Sequence, residues 1–370
     1  ALAIGTRRDD TLRVSNSGLS VLAVDSTTLP LPDLSVTPTR FSVNPGVSAV
    51  LTVCFLPKVV ASYQDTIRIY QNSPKSPTLV YVQARGTQPV TMLYVSGATQ
   101  SQVAGRTLDS MFAVKVTDAG GNAVSNVLVT FAIDSIPSGA SGQSLSASNV
   151  STDVNGKAST KLTLGNKAGQ YTVKASVSGL TGSPYTFRAL ASPNVPTNLS
   201  YVSGATQSQA AGRTLDSMFV VKVADAGGNA VSNVLVTFAI DSIPSGASGQ
   251  SLSASNVSTD VNGKASTKLT LGNKAGQYTV KAFVSGLTGS PYTFRATATA
   301  GTGAGIATVY GNYQVGAVGA MLAQPLIAEV GDVYGNPVSG RIVSFQIQAP
   351  AGASGHTLVP SSATTDINGQ

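Results

Sequence analysis

Three short stretches repeat one chemistry-bearing pattern: Asp153, Asn155 and Gly156; Asp260, Asn262 and Gly263; and Asp366, Asn368 and Gly369. Oxygen-bearing side chains at alternate positions open a calcium loop, which makes Asp153, Asn155, Asp260 and Asn262 candidate metal ligands. The pattern is incomplete, because the twelfth position of such a loop needs a bidentate Glu and the first copy has Leu164 there. A hairpin turn accounts for the same residues. Asp and Asn side chains bond to nearby backbone N–H groups, and Gly supplies a positive φ. The run Asp118, Ala119, Gly120, Gly121, Asn122, with its copy from Asp225, admits the same two readings.

Other reactive groups are sparse. His356 is the sole histidine, so a hydrolase triad or a histidine-ligated metal cluster has one member at most, and the residue reads as part of a surface loop. The complete repeats carry Gln143 and Gln250 at the corresponding place. Ser and Thr abound, but no Gly-x-Ser-x-Gly elbow activates one, and no phosphate-cradling glycine loop is present. Cys54 is the only cysteine, which excludes an intramolecular disulfide, and its place in the apolar run 51–55 reads as a small core residue. The expectation is a chain with no catalytic residue and no cofactor.

These residues belong to a tandem array. Residues 94–189 recur at 201–296 at a constant offset of 107, with four substitutions. The same offset carries Asp225, Gly228, Asn229, Val231 and Phe238 onto Asp332, Gly335, Asn336, Val338 and Phe345, so a third, divergent copy begins near residue 301. Near-identical modules supply length and repeated surface, from which a single buried active site gains nothing.

Within the first copy, residues 112–116, 127–133, 157–164, 170–177 and 184–189 read as half-buried strands. Tyr171, Val173, Ala175 and Val177 face a core, and Thr172, Lys174 and Ser176 face water. Turn chemistry separates the strands, and such spacing makes an antiparallel sandwich. Residues 11–14, 50–55, 62–70 and 78–83 read as strands of a second kind of sandwich, in which residues 1–5 leave little room for a complete first strand. Linkers fall at 85–90, 191–198 and 298–305. Pro193 and Pro196 stiffen the middle one, and Gly, Ala and Thr loosen the last. The third copy has no counterparts of 264–271, 277–284 and 291–296, which points to a native chain that continues.

The run from Asp118 to Val124, then 127–131, 152–158 and 168–173, resembles the bacterial immunoglobulin-like group 1 repeats of invasin and intimin adhesins. Residues 14–18, 41–46, 53–57, Tyr63 and 72–86 resemble the immunoglobulin-like family of abnormal-spindle and hydin proteins. The resemblance implies an all-β chain of tandem immunoglobulin-like antiparallel β-sandwiches arranged as an elongated rod. Its divisions are 1–88, abnormal-spindle/hydin-like; 89–192, repeat 1; 193–299, repeat 2; and 300–370, an incomplete third repeat. It further implies an extracellular or cell-surface stalk, spacer or filament-forming element, whose partners are other surface proteins or copies of itself. A glycan- or receptor-binding module is the alternative.

The net charge of +7 is spread along the chain without a basic run interleaved with aromatics, which argues against nucleic acid as a partner. No 18-residue apolar span is present either. The twin copies differ as Val103 to Ala210, Ala113 to Val220, Thr117 to Ala224 and Ser176 to Phe283. If Phe112, Val114 and Val116 face inward, positions 113, 117 and 176 face outward, and the second copy has the more apolar surface. Phe283, Val220 and Ala224 are therefore candidate interface residues.

Overall fold

A computed structural model describes residues 1–370, and every regular element in it is a β-strand. The chain divides into two compact units, Ala1–Pro193 and Asn194–Gln370.

The first unit opens with a sandwich. One sheet runs in the order Leu2–Ala3, Thr78–Thr87, Ala61–Gln71, Leu22–Thr28, Phe41–Val43; the facing sheet runs Arg8–Ser15, Ser48–Phe55, Leu34–Thr37. Alternation along these strands turns Leu51, Phe55, Ile67 and Ile69 into the interior. Tyr63 stands edge-on to Phe55 and donates its hydroxyl to the buried Asp33 carboxylate, which also accepts the N–H of Lys58. Cys54 points away from this core and is half-buried, because Leu51, Val53 and Phe55 claim the inward parity of its strand. The core assignment made for Cys54 is thereby corrected. Burial pushes its thiol pKa up, and a bond to Asp9 adds to the effect.

Five strands of the next sandwich run in the order Thr99–Val103, Tyr185–Ser192, Gly169–Ser176, Leu128–Ser135, Asn149–Ser151, against Lys157–Thr160, Phe112–Thr117, Thr91–Ser96. Phe112 and Phe187, one from each sheet, stack at 4.7 Å between ring centres, with Phe131, Tyr171 and Val173 packed in the same core. Burying each such side chain contributes about 1.5–3 kcal/mol. Thr172 is buried despite its outward parity, since its hydroxyl bonds with Ser135 and Asp134. The single strand expected at 157–164 is two: Lys157–Thr160 pairs with Phe112–Thr117, and Leu162–Thr163 pairs with Ser144–Leu145. The break falls at Lys161, whose N–H goes to the Ser146 hydroxyl instead of a ladder.

The second unit repeats this sandwich strand for strand, with Phe219 and Phe294 stacked at 4.6 Å. Beyond it, Gly305–Tyr310 pairs with Ile327–Gly331, and Ile342–Ser344 with Ser362–Thr364. Phe345, counterpart of the fully buried Phe238, is only half-buried there. No helix is long and apolar enough to cross a membrane.

Candidate functional site

The most elaborate polar chemistry lies in the loops headed by Asp118, Asp225 and Asp332. In the first, Gly121 takes a positive φ, which closes the loop so that the Asp118 N–H meets the Asn122 carbonyl at 2.9 Å. One carboxylate oxygen of Asp118 then accepts the N–H groups of Gly120 and Asn122 at 3.0 and 2.9 Å. The other oxygen reaches out of the loop to the Thr87 hydroxyl at 3.0 Å, with Arg85 at 3.5 Å. Asp225 does the same, accepting Asn229 N–H at 2.8 Å with one oxygen and Asn194 N–H at 2.8 Å with the other. Asp332 accepts Tyr334 and Asn336 N–H groups, and its second oxygen takes Gly301 N–H at 2.8 Å.

Each outward bond spans 31 residues and holds the segment that enters the sandwich. All three carboxylates are buried, which alone would raise their pKa values. The donors gathered around them outweigh that effect and hold all three below the ordinary carboxylate range. In the second unit the loop also grips the preceding sandwich. Asn336 accepts the N–H of Ala275 at 2.9 Å and donates to the Asn273 carbonyl at 2.9 Å, and the Tyr334 phenol lies over Gly212.

Residues 94–189 match the model of the bacterial Ig-like domain (group 1). This segment belongs to that family. The group 1 copy at 201–296 differs from it at four positions and carries the same domain. The inverse autotransporter adhesin YeeJ of Escherichia coli (strain K12) is 30% identical over 353 residues, covering 91% of this chain and 14% of YeeJ. The chain thus spans about a seventh of that relative's length. Among solved structures, the Escherichia coli adhesin FdeC is similar at 17% identity, with a TM-score of 0.36 over 80% of this chain and 93% of its own. Yersinia pseudotuberculosis InvD is similar at 16% identity, with a TM-score of 0.39 over 69% and 73%.

In the group 1 repeats the candidate calcium residues sit in two separate hairpin turns. Asp153 accepts the N–H groups of Asn155 and Lys157, both at 2.8 Å, and Asp260 accepts those of Asn262 and Lys264 at the same distance. No three His, Cys, Asp or Glu side chains converge anywhere. His356 stands in an exposed loop.

The interface candidates divide between two faces. Val220 and Ala224 lie on strand Phe219–Asp225 of the three-stranded sheet, whereas Phe283 lies on the five-stranded sheet, 47% exposed, opposite Thr237 and near exposed Leu235. The outward assignment of positions 113 and 117 is corrected, because Ala113 and Thr117 are buried. Phe112, Val114 and Val116 keep the inward parity of their strand, and Thr117 on the opposite parity is covered at its bridge to Ala123. Their counterparts Val220 and Ala224 are half-buried. Sequence reasoning missed the outward Asp bonds, because the entering residues Thr87, Asn194 and Gly301 share a position in the period but no residue type.

Proposed function

We propose that the chain is a section of the stalk of a bacterial cell-surface adhesin, in which repeated β-sandwiches act as spacers or filament-forming elements outside the cell. The observation that carries this reading is the threefold use of one joint chemistry, with Asp118, Asp225 and Asp332 each holding the segment that leads into their own sandwich. The description of YeeJ as an inverse autotransporter adhesin supports the surface setting. In this reading 1–88 is an abnormal-spindle/hydin-like domain, 89–192 and 193–299 are the complete repeats, and 300–370 is part of a third. Partners are other surface proteins or further copies of the chain, and no residue is assigned to catalysis or to a cofactor.

A second reading, a glycan- or receptor-binding module, is favoured by one observation, the exposed Phe283 beside Leu235. Single-molecule pulling separates the two. A stalk gives two unfolding events of equal contour length for the twin repeats, each about 96 residues at roughly 3.3–3.6 Å per residue. Specific hits on a glycan array, without such matched events, would replace the stalk reading with the binding one.

A further inference from the structure

Asn155 and Asn262 have a reactivity that their role in a turn leaves unused. Each precedes a glycine, and in an Asn–Gly pair the side-chain amide is open to attack by the next main-chain nitrogen, because no side chain shields that nitrogen. Both asparagines are exposed to water. The reaction closes a five-membered ring. The Gly156 nitrogen bonds to Cγ of Asn155 and gives up its proton to water, and the side-chain nitrogen leaves as ammonia. Water then opens one of the two C–N bonds of the imide, which yields either an aspartate or an isoaspartate whose main chain runs through the former side chain.

The folded turn withholds what that ring needs. The nucleophile is engaged, since the Gly156 N–H donates to the Asp153 carbonyl at 2.9 Å and the Gly263 N–H to the Asp260 carbonyl at the same distance. Neither central residue of either turn has a positive φ, which makes both turns type I. With ψ near 0° at the second central residue, as that type requires, the Asn155 side chain stands roughly 120° of rotation about Cα–C away from the nitrogen it must meet. The sheet opposes this rotation. The carbonyls of Gly156 and Gly263 accept the N–H groups of Val116 and Val223, both at 2.8 Å, and a Cβ added at Gly156 would fall 2.6 Å from the Val116 oxygen. A further bond, from the Asn155 N–H to the Asp153 carboxylate at 2.8 Å, fixes the other side of the asparagine.

We propose that Asn155 and Asn262 are deamidation sites that the native turn holds closed and that opening of the turn releases, so each repeat carries an irreversible record of the time it has spent unfolded. This property is separate from the adhesive reading. The isoaspartyl product adds one carbon to the main chain between Asn155 and Gly156, so the bonds of Gly156 to Asp153 and Val116 no longer form in register. A repeat that has reacted thus refolds with a damaged turn.

The 370-residue chain, incubated at mildly alkaline pH either folded in buffer or unfolded in guanidinium chloride, tests the proposal by peptide mapping with mass spectrometry. In the unfolded chain Asn155 and Asn262 are expected to convert ahead of asparagines not followed by glycine, and in the folded chain at least about tenfold more slowly than in the unfolded one. Asp153→Ala removes the acceptor of the Asn155 and Lys157 N–H groups and should speed conversion at Asn155, with Asn262 in the twin turn as internal standard. Amide exchange at Val173, in the core of the same repeat, distinguishes an opened turn from an unfolded module. If the variant unfolds the repeat, Asn155 should convert at its guanidinium rate. Equal rates in the folded and unfolded parent chain overturn the proposal, as does an Asp153→Ala chain in which Asn155 converts no faster than Asn262.

Discussion

The carboxylate of Asp332 accepts the backbone N–H of Gly301 at 2.8 Å, so a residue inside the sandwich fixes the otherwise glycine-rich segment that leads into it. Linker composition and linker restraint are therefore different properties here. The segment is Gly, Ala and Thr throughout, yet it is anchored by Asp332, and the loop that Asp332 heads is anchored in turn to Asn273 and Ala275 of the preceding sandwich.

Removing such a carboxylate strands its donors. Asp225→Ala leaves the N–H groups of Asn194 and Asn229 without their acceptor, and it is expected to cost about 1–3 kcal/mol. Asp225→Asn retains an acceptor and falls between this variant and the parent. Urea denaturation followed by fluorescence of the repeat tyrosines measures both, and a cost for Asp225→Ala below the usual scatter of surface substitutions would contradict the role.

The same groups set an acid limit. Burial pushes the carboxyl of Asp225 up, but the Asn229 side chain and the N–H groups of Asn194 and Asn229 outweigh it and leave the pKa lowered; Asp118 and Asp332 behave alike. A carboxyl whose folded pKa is depressed adds stability that is complete above its unfolded value, about 3.9, and is lost as pH falls through the folded value. The melting temperature should be flat in its dependence on these groups from neutral pH down to about 5 and fall below about 4. A decline confined to neutral pH would assign the effect to other groups.

Calcium is expected to leave the repeats unchanged. The carboxylates of Asp153 and Asp260 already accept two N–H groups apiece within their own turns. Melting temperatures measured with millimolar calcium and with chelator should coincide, and a rise with calcium would revive these residues as ligands.

Two glycines separate backbone strain from steric conflict. Gly246 and Gly263 both hold φ at +73°, but an added Cβ at Gly246 meets nothing within 4 Å, whereas at Gly263 it falls 2.5 Å from the Val223 carbonyl oxygen. Gly246→Ala should cost about 1–2 kcal/mol for the left-handed conformation alone. Gly263→Ala should cost a further 1–3 kcal/mol or so for the forced shift of packed backbone. Equal losses in thermal or urea unfolding would show that the clash relaxes freely.

Phe283→Ser restores the residue of the first repeat at an exposed position and should shift stability by no more than about 0.5 kcal/mol. If the five-stranded face carries a contact, binding of a surface partner weakens in this variant, while Val220→Ala, on the other sheet, leaves it unchanged. Identical binding by both variants would remove Phe283 from consideration.

Much of the fold was legible because it is periodic. Tyr171, Val173 and Ala175 face the core as their alternation requires, and the turn at Asp153 forms as its Asn and Gly suggest. What escaped was non-periodic or non-local. Phe112, Val114 and Val116 keep the inward parity expected of them, but alternation does not say that Ala113 and Thr117 on the opposite parity are covered, and the side-chain capture at Lys161 ends a strand that hydropathy alone would continue. The carboxylate bonds of the joints lie outside any hydrophobic pattern, since their partners Thr87, Asn194 and Gly301 share a position but no chemistry beyond a donor. The interface candidates were chosen by difference between copies, which identifies changed residues without saying which sheet bears them.

The separation of 31 residues has an evolutionary corollary. Both halves of each joint, the entering residue and the Asp that holds it, lie inside one 107-residue period, so a genetic duplication or loss of whole periods copies or deletes the fastening together with the module it serves. Array length can then change by recombination between the near-identical copies without orphaning a buried carboxylate at the new boundary. The fastening is heritable as a cassette, and the number of cassettes is free to vary.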